Sequence, residues 1–399
     1  NEYAKSHPPH TVLVVMESFG SYWNDQQSSE FDILGDLKKH FDDGFLFKNF
    51  VSSENGTIGS IVSIATSSVI RPGSRFLSES EFMNLPLDSS GHLPYQNAGY
   101  ETHFVYGGKL GWRELGKYLK KQKYDHLWGA DEIKEAMPEL RNISERELGN
   151  EWGIFDEYLY TFIEDHLRTA IKPQFFLVLT TSNHPPFEYP SFYTPRPIKL
   201  NSEHMSHMTV GEDLVMKRFN SLQYANQKIG EFITRTRSST HKDNMIIALT
   251  GDHSYWIANG VGHEQEFKRF SVPFFISAPN AYRPAKVNLE KFGSHEDIFP
   301  TLYHLSLSNQ KYVKMGEDLF SDHSHALNSS GLVATEIGAY HNGAYWKWKD
   351  REKQILKQTP ETPELLKLKM HSLGLISITD LYLKGEKTRK KTDEESDRP

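Results

Sequence analysis

Three stretches decide how this sequence folds: Thr11-Val-Leu-Val-Val-Met16 running into Glu17-Ser18, Phe175-Phe-Leu-Val-Leu179 running into Thr180-Thr-Ser-Asn-His184, and Met245-Ile-Ile-Ala-Leu249 running into Thr250-Gly-Asp-His253. Each is a short, unbroken apolar run without polar alternation, the pattern of a strand buried on both faces. Between them the apolar spacing changes to that of helices. Val215, Phe219, Leu222, Ile229 and Ile233 form one stripe, and Phe155, Leu159, Phe162 and Ile163 form another. Strands alternating with amphipathic helices predict an α/β fold, a mainly parallel central sheet with helices on both faces. Ligands of such sheets bind beyond the carboxyl ends of the strands, and each polar cluster here sits at that end.

Composition narrows the function classes. Lys+Arg 45 against Asp+Glu 52 leaves a net charge of −7, which gives nucleic acid no electrostatic footprint. A hydrophobic fraction of 37% with 24 Phe, 19 Tyr and 7 Trp excludes wholesale disorder. Cysteine is absent, which rules out disulfide scaffolds, thiolate zinc sites and a cysteine nucleophile. No apolar run approaches the roughly 20 residues of a membrane helix. The chain opens at Asn1 without a charged-then-apolar leader, so it reads as a processed or excised fragment whose anchor or signal would lie upstream.

Gln26–Asp43 and Lys109–Gln122 also read as helices, and residues 185–211, rich in proline, as a long loop of the kind that is usually functional. Asn342-Gly343 is a two-residue hairpin signal, predicting a small antiparallel unit after about residue 310. The expected division is a catalytic domain over 1–310, an α+β subdomain over 311–383 packed on it, and a disordered tail over 384–399, which carries almost only charged and polar residues.

Several residues at the strand ends have the right chemistry for catalysis. Asp252-His253 pairs a carboxylate with an imidazole, suiting manganese or zinc; the other reading is a turn acid beside a surface histidine. Glu17 closes the first strand, as a solvated acid, a cap, or a third ligand brought to Asp252-His253 by strand pairing. Thr57, in Glu54-Asn-Gly-Thr-Ile-Gly-Ser-Ile61, opens a helical segment, either as a cap or as a nucleophile at a helix N-terminus that attracts anions. Its hydroxyl is too weak an acid to attack unaided, so the second reading requires a metal. His184 stands at a strand end, able to bind a phosphoryl oxygen or protonate a leaving group. His263 is a loop histidine with the same possibility. Trp112-Arg113 offers a guanidinium fork for phosphate, or an ordinary helix with a buried Trp and a solvated Arg.

Taken in order, Glu17, Thr57, His184 and Asp252-His253 resemble the alkaline phosphatase/sulfatase superfamily, with the closest likeness to its lipoteichoic acid synthase branch, whose members move phosphoglycerol outside the cytoplasmic membrane. Val14-Val-Met-Glu-Ser-Phe19 is similar to that branch's first-strand metal glutamate, Ser182-Asn-His-Pro-Pro-Phe187 to its substrate histidine segment, and Gly251-Asp-His-Ser254 to its metal motif. Ser294-His-Glu-Asp-Ile-Phe-Pro-Thr-Leu302 is similar to the helix that follows the last core strand, Ser271–Ala278. The resemblance implies a single cation held by Glu17, Thr57, Asp252 and His253, manganese favoured and zinc the alternative. It implies Thr57 as nucleophile and substrate contacts from His184, Trp112, Arg113 and His263. It implies a phospholipid donor, a glycan or polymer acceptor, and an extracytoplasmic domain tethered to the membrane by an anchor. The Thr57 neighbourhood departs from the branch's usual wording, and Thr57 cannot become the formylglycine of true sulfatases. A phosphodiesterase or phosphonate hydrolase, a phosphoethanolamine transferase, and a lipid-sensing pseudoenzyme are the alternatives.

Overall fold

A computed structural model describes residues 1–254, 263–322 and 324–396 of the chain. Its central sheet has seven strands: β1 (His10–Met16), β2 (Phe45–Phe47), β3 (Glu101–Tyr106), β4 (His126–Trp128), β5 (Gln174–Leu179), β6 (Met245–Gly251) and β7 (Phe274–Ser277). Their spatial order is β2-β7-β6-β1-β5-β3-β4. β1 lies between β5 and β6, parallel to both, and β3 pairs in parallel with β4 and β5. β7 alone runs against the others, pairing antiparallel with β6 and β2.

The three apolar runs are thus the three central strands, and their side chains divide by parity. Leu13 and Val15 of β1, with Phe175 and Leu177 of β5, face a core shared with the helices α1 (Thr57–Thr66) and α4 (Ile298–Ser306). Val12 and Val14, with Phe176 and Val178, face a second core shared with α2 (Asp156–Thr169) and α3 (Glu212–Arg237). This is the expected mainly parallel α/β sandwich.

A second sheet of five strands packs at the carboxyl-terminal side: β8 (Ala326–Leu327), β9 (Val333–Ala334), β10 (Gly338–His341), β11 (Ala344–Asp350) and β12 (Ile355–Thr359), all antiparallel. The hairpin between β10 and β11 turns at Asn342 and Gly343, both with positive φ. The chain ends in α5 (Pro363–Ser396). Among the described residues no helix is long and apolar enough to cross a membrane.

Three local expectations fail for identifiable reasons. Gln26–Asp43 is not one helix: Gly35 takes φ 53, and only Gly35–Leu37 (a 3-10 turn) and Lys38–Phe41 are helical in its second half. Side chains satisfy this backbone instead, Gln27 accepting from Ile33 N (2.8 Å) and Asn226 of α3 donating to Ile33 O (2.8 Å). Lys109–Gln122 is broken by positive φ at Arg113 and Glu114, leaving a helix over Leu115–Lys121. Residues 384–396, expected in a disordered tail, continue α5. Their charges find partners on the body: Arg389 on Asp88 (2.7 Å), Lys390 on Pro86 O (2.6 Å), and Lys387 on Glu81. Composition shows that a segment is polar, but not that a complementary surface waits for it.

β6 ends in a close backbone contact that positions the site. A Cβ on Gly251 would lie 2.1 Å from Phe19 O, whereas one on Gly56 would meet nothing within 4 Å. We expect Gly251→Ala to lower unfolding free energy by about 1–3 kcal/mol in denaturant titration, and Gly56→Ala to change it by less than about 0.5 kcal/mol.

Candidate active site

Parallel pairing sets β1 and β6 side by side with Met16 opposite Gly251, so the residues that follow each strand emerge together. Those residues are Glu17 and Asp252-His253. Their ligand atoms all lie within 4.8 Å of one another, and all three residues are buried. The turn after β1 is strained to achieve this. Ser18 adopts φ 51, which aims its N–H at Asp252 Oδ1 (2.7 Å), while its hydroxyl donates to Glu17 Oε1 (2.7 Å). Thr180 Oγ1, at the end of β5, accepts from Glu17 N (3.0 Å). Asn183 Nδ2 donates to Glu17 O (3.1 Å).

Thr57 arrives from the other side of the chain as the first residue of α1. Its hydroxyl donates to Glu17 Oε2 (3.2 Å). Forty residues apart in sequence, the hydroxyl and the carboxylate touch. His253 donates through Nδ1 to Ser254 O (2.9 Å), which leaves its Nε2 lone pair 3.5 Å from Asp252 Oδ2. That Oδ2 is buried and has no hydrogen-bond partner among the described residues. Burial and the neighbouring Asp252 carboxylate push the Glu17 carboxyl up to about 7. Two buried acids, one imidazole turning its Nε2 toward them and a carboxylate oxygen without a hydrogen bond among the described residues form a donor set of mixed O and N character. It fits one divalent cation of manganese or zinc type, with Thr57 at the cluster's edge.

His184 stands near enough to Glu17 that a positive charge on its ring would lower the Glu17 carboxyl. Its Nδ1 donates to Pro185 O (2.9 Å), and its ring lies 3.7 Å from that of Trp152. Beside this pair a cleft of about 840 Å³ opens, lined among others by Trp152, Phe187, Tyr189, Arg146, Lys217 and Glu151. Trp112 packs near Tyr106 (6.1 Å between ring centres), and Tyr106 in turn is close enough to feel the charges of Glu17 and Asp252. Arg113 does not reach inward. It pairs with Glu79 at 3.2 Å, lies 6.0 Å from the Phe76 ring and is half exposed. His263 opens a 3-10 segment, His263–Arg269, and its side chain lies outside the described residues.

Several supporting residues escape a reading of the sequence. Asp156, at the start of α2, accepts from Ser182 N (3.0 Å) and Thr181 N (3.3 Å) and anchors the His184 loop. His295 is fully buried and bridges two walls of the site: Ser53 N donates to its Nδ1 (3.2 Å), so its Nε2–H donates to Gly251 O (3.0 Å). Burial pushes it down to about 3, so it stays neutral in this bridge. The second sheet clamps the same loop. Asn328 Nδ2 donates to Ser52 O (2.7 Å) and Ser329 N to Ser53 O (2.8 Å). His295 lies inside a quoted motif, as do Thr180, Ser182 and Asn183, but nothing in the sequence marks the bridge it makes, and Asp156, Asn328 and Ser329 carry no signal.

The sulfatase family model matches residues 9–306. The chain belongs to the sulfatase family. The alkaline phosphatase/sulfatase resemblance therefore holds over the segment that builds this site. Among its relatives within and around this family, lipoteichoic acid synthase 1 of Bacillus subtilis is 25% identical over 394 residues, covering 93% of this chain and 57% of that protein. Phosphoglycerol transferase I of Citrobacter koseri is 24% identical over 162 residues, 40% of this chain and 19% of that protein. The chain thus spans little more than half of the first relative's length. The crystal structure of the lipoteichoic acid synthase LtaP from Listeria monocytogenes shares the fold, with a TM-score of 0.71 at 16% identity over 96% of this chain and 94% of that one.

Two measurements probe this sulfatase-type site. A proton on Glu17 below about pH 7 competes with a cation for the same oxygen, so Mn²⁺ affinity measured by calorimetry should fall between pH 8 and pH 6, by up to about tenfold per pH unit; Glu17→Gln should lose that dependence along with most of the affinity. His295→Ala orphans Ser53 N and Gly251 O and should destabilise the fold by about 1–3 kcal/mol for each group left buried and unpaired, read as a lower midpoint in urea.

Proposed function

We propose that this domain is a metal-dependent transferase that moves phosphoglycerol, or a similar phospho-alcohol, from a phospholipid to a glycan or polymer hydroxyl through a phosphothreonine intermediate on Thr57. The observation that carries the reading is the Thr57 hydroxyl, at the first turn of α1, donating to Glu17 inside the Glu17–Asp252–His253 cluster. Glu17, Thr57, Asp252 and His253 would hold one divalent cation, Mn²⁺ favoured and Zn²⁺ the alternative, whose chemistry is to acidify a neighbouring hydroxyl and withdraw charge from phosphoryl oxygens.

The chain's own groups divide the rest of the work. The N-terminal N–H groups of α1 stabilise a phosphodiester anion beside Thr57. Thr57 Oγ1 gives its proton to Glu17 Oε2, to which it already donates, and forms the new bond to phosphorus as the bond to the diacylglycerol oxygen breaks; Glu17 returns that proton when the acceptor displaces Thr57. His184, poised on Trp152, supplies a proton to that leaving oxygen and takes one from the acceptor hydroxyl in the second displacement. Splitting the reaction lets donor and acceptor use one site in turn. The cleft beside His184 gives the acceptor a route to the phosphothreonine. Trp112 and Arg113 would reach the substrate from the Tyr106 side, Arg113 by exchanging Glu79 for phosphate. Work on a lipid donor and an envelope acceptor places the domain outside the cytoplasmic membrane, tethered by an anchor.

Mass spectrometry of the intact protein incubated with phosphatidylglycerol and Mn²⁺ should reveal one added phosphoglycerol unit on Thr57. Thr57→Ala should lose the adduct and at least about a thousandfold in turnover. An unmodified Thr57 during turnover, or near-normal activity of Thr57→Ala, would refute the reading.

A further inference from the structure

β3 ends in a side chain to which the reaction assigned above gives no task. Tyr106 closes that strand opposite Leu179 of β5, and Leu179 lies opposite Val15 of β1, so Tyr106 stands at the same carboxyl edge as Glu17 and Thr180. Parity sends its ring to the α1 side of the sheet, into a core shared with Val15, Leu179 and Ile58, the residue after Thr57. The phenol is held tightly there. A Cβ on Gly108 would lie 2.6 Å from its oxygen and 2.5 Å from the carbon that bears it, so the chain folds back over the ring just past the strand. The residue is 4% exposed, as deep as Glu17 at 5%.

Its hydroxyl makes no hydrogen bond among the described residues. Other phenols of this core are satisfied, Tyr100 by Ser306 O (3.2 Å) and Tyr303 by Gly91 O (2.6 Å). Tyr118 and Tyr124 also lack a partner, but neither feels the acid cluster, whereas Tyr106 feels both Glu17 and Asp252. Burial and those two carboxylates hold the Tyr106 phenol well above its ordinary range, so it stays protonated and serves as a donor. A donor held at such depth without an acceptor is a cost that a bound ligand relieves. Glu17 is not that acceptor, since its two oxygens already take the hydroxyls of Ser18 and Thr57. We propose that Tyr106 is a further substrate-binding residue, its hydroxyl donating to a phosphoryl oxygen of the group that Thr57 receives, a role that rests on the reaction assigned above. A neutral donor suits this place. Lysine or arginine there would pair with the acids, whereas a phenol can hold a phosphoryl oxygen beside them without doing so.

Tyr106→Phe removes one oxygen and keeps the ring. Calorimetry of the Mn²⁺-loaded chain should find inorganic phosphate bound about tenfold more weakly by this variant, and sn-glycerol 3-phosphate weakened by the same factor. Mn²⁺ affinity and the urea midpoint should not move. Tyr124→Phe, which removes an equally buried hydroxyl from the same core, should leave phosphate affinity unchanged. The proposal fails if the original chain binds no phosphate or if Tyr106→Phe binds it as well as the original. It also fails if the glycerol ester alone is weakened, which would assign the hydroxyl to glycerol, or if Mn²⁺ affinity falls as far as phosphate affinity, which would make Tyr106 a support of the acid cluster. Because the readout is binding, the two readings separate. An adduct on Thr57 with phosphate affinity equal in both proteins keeps the reaction and refutes this contact; weakened phosphate binding without any adduct keeps the contact and refutes the reaction.

Discussion

Two carboxylates held together in a dry site repel each other, and the rest of this structure is arranged to hold them there. Glu17 and Asp252 are both buried and both follow central strands, which pair in parallel with Met16 opposite Gly251. The register that buries the apolar side chains of β1 and β6 also forces the two acids together. A slip of one residue would exchange every side chain between the two cores and carry Glu17 away from Asp252, so core packing and acid proximity are tied. The strain at Ser18, the close approach at Gly251 and the His295 bridge all restrain the same few ångströms of backbone. A cation held between them, as proposed, would turn this repulsion into attraction, and the Thr57 hydroxyl on Glu17 would stand at its edge.

The second sheet then has a role beyond packing. Through Asn328 and Ser329 it fixes residues 52 and 53, the approach to Thr57, while His295 ties residue 53 to the end of β6. The backbone leading to Thr57, the nucleophile of the proposed reaction, is thus held from two directions. The cleft beside His184 and Trp152 is built differently. It is open and lined by mixed charges and aromatic rings, unlike the closed acid cluster.

Much of this was legible in the sequence because the decisive signals are local and redundant. Thr11–Met16, Phe175–Leu179 and Met245–Leu249 announce buried strands by their lack of alternation, and the polar residue after each run marks the edge where a site forms. Position in the parallel sheet does the rest, which is how Glu17 and Asp252-His253 could be placed together. What stayed hidden depends on partners distant in sequence. Gln26–Asp43 has helical spacing, but its backbone is satisfied by Gln27 and Asn226. The charged stretch after residue 384 looks unstructured until Asp88 and Glu81 are seen beside it. Arg113 is written next to Trp112, yet its positive φ turns it toward Glu79, a partner no spacing rule could name. Asp156 and Trp152, supports of the His184 loop, carry no local mark at all.

The central claim is that Glu17, Thr57, Asp252 and His253 share one cation. Anomalous diffraction from crystals grown with Mn²⁺ addresses it most directly. The account predicts a single strong anomalous peak between the Glu17 and Asp252 carboxylates and His253 Nε2, with Thr57 Oγ1 in its coordination sphere. No peak there, or a peak whose coordination sphere leaves Thr57 out, would contradict it.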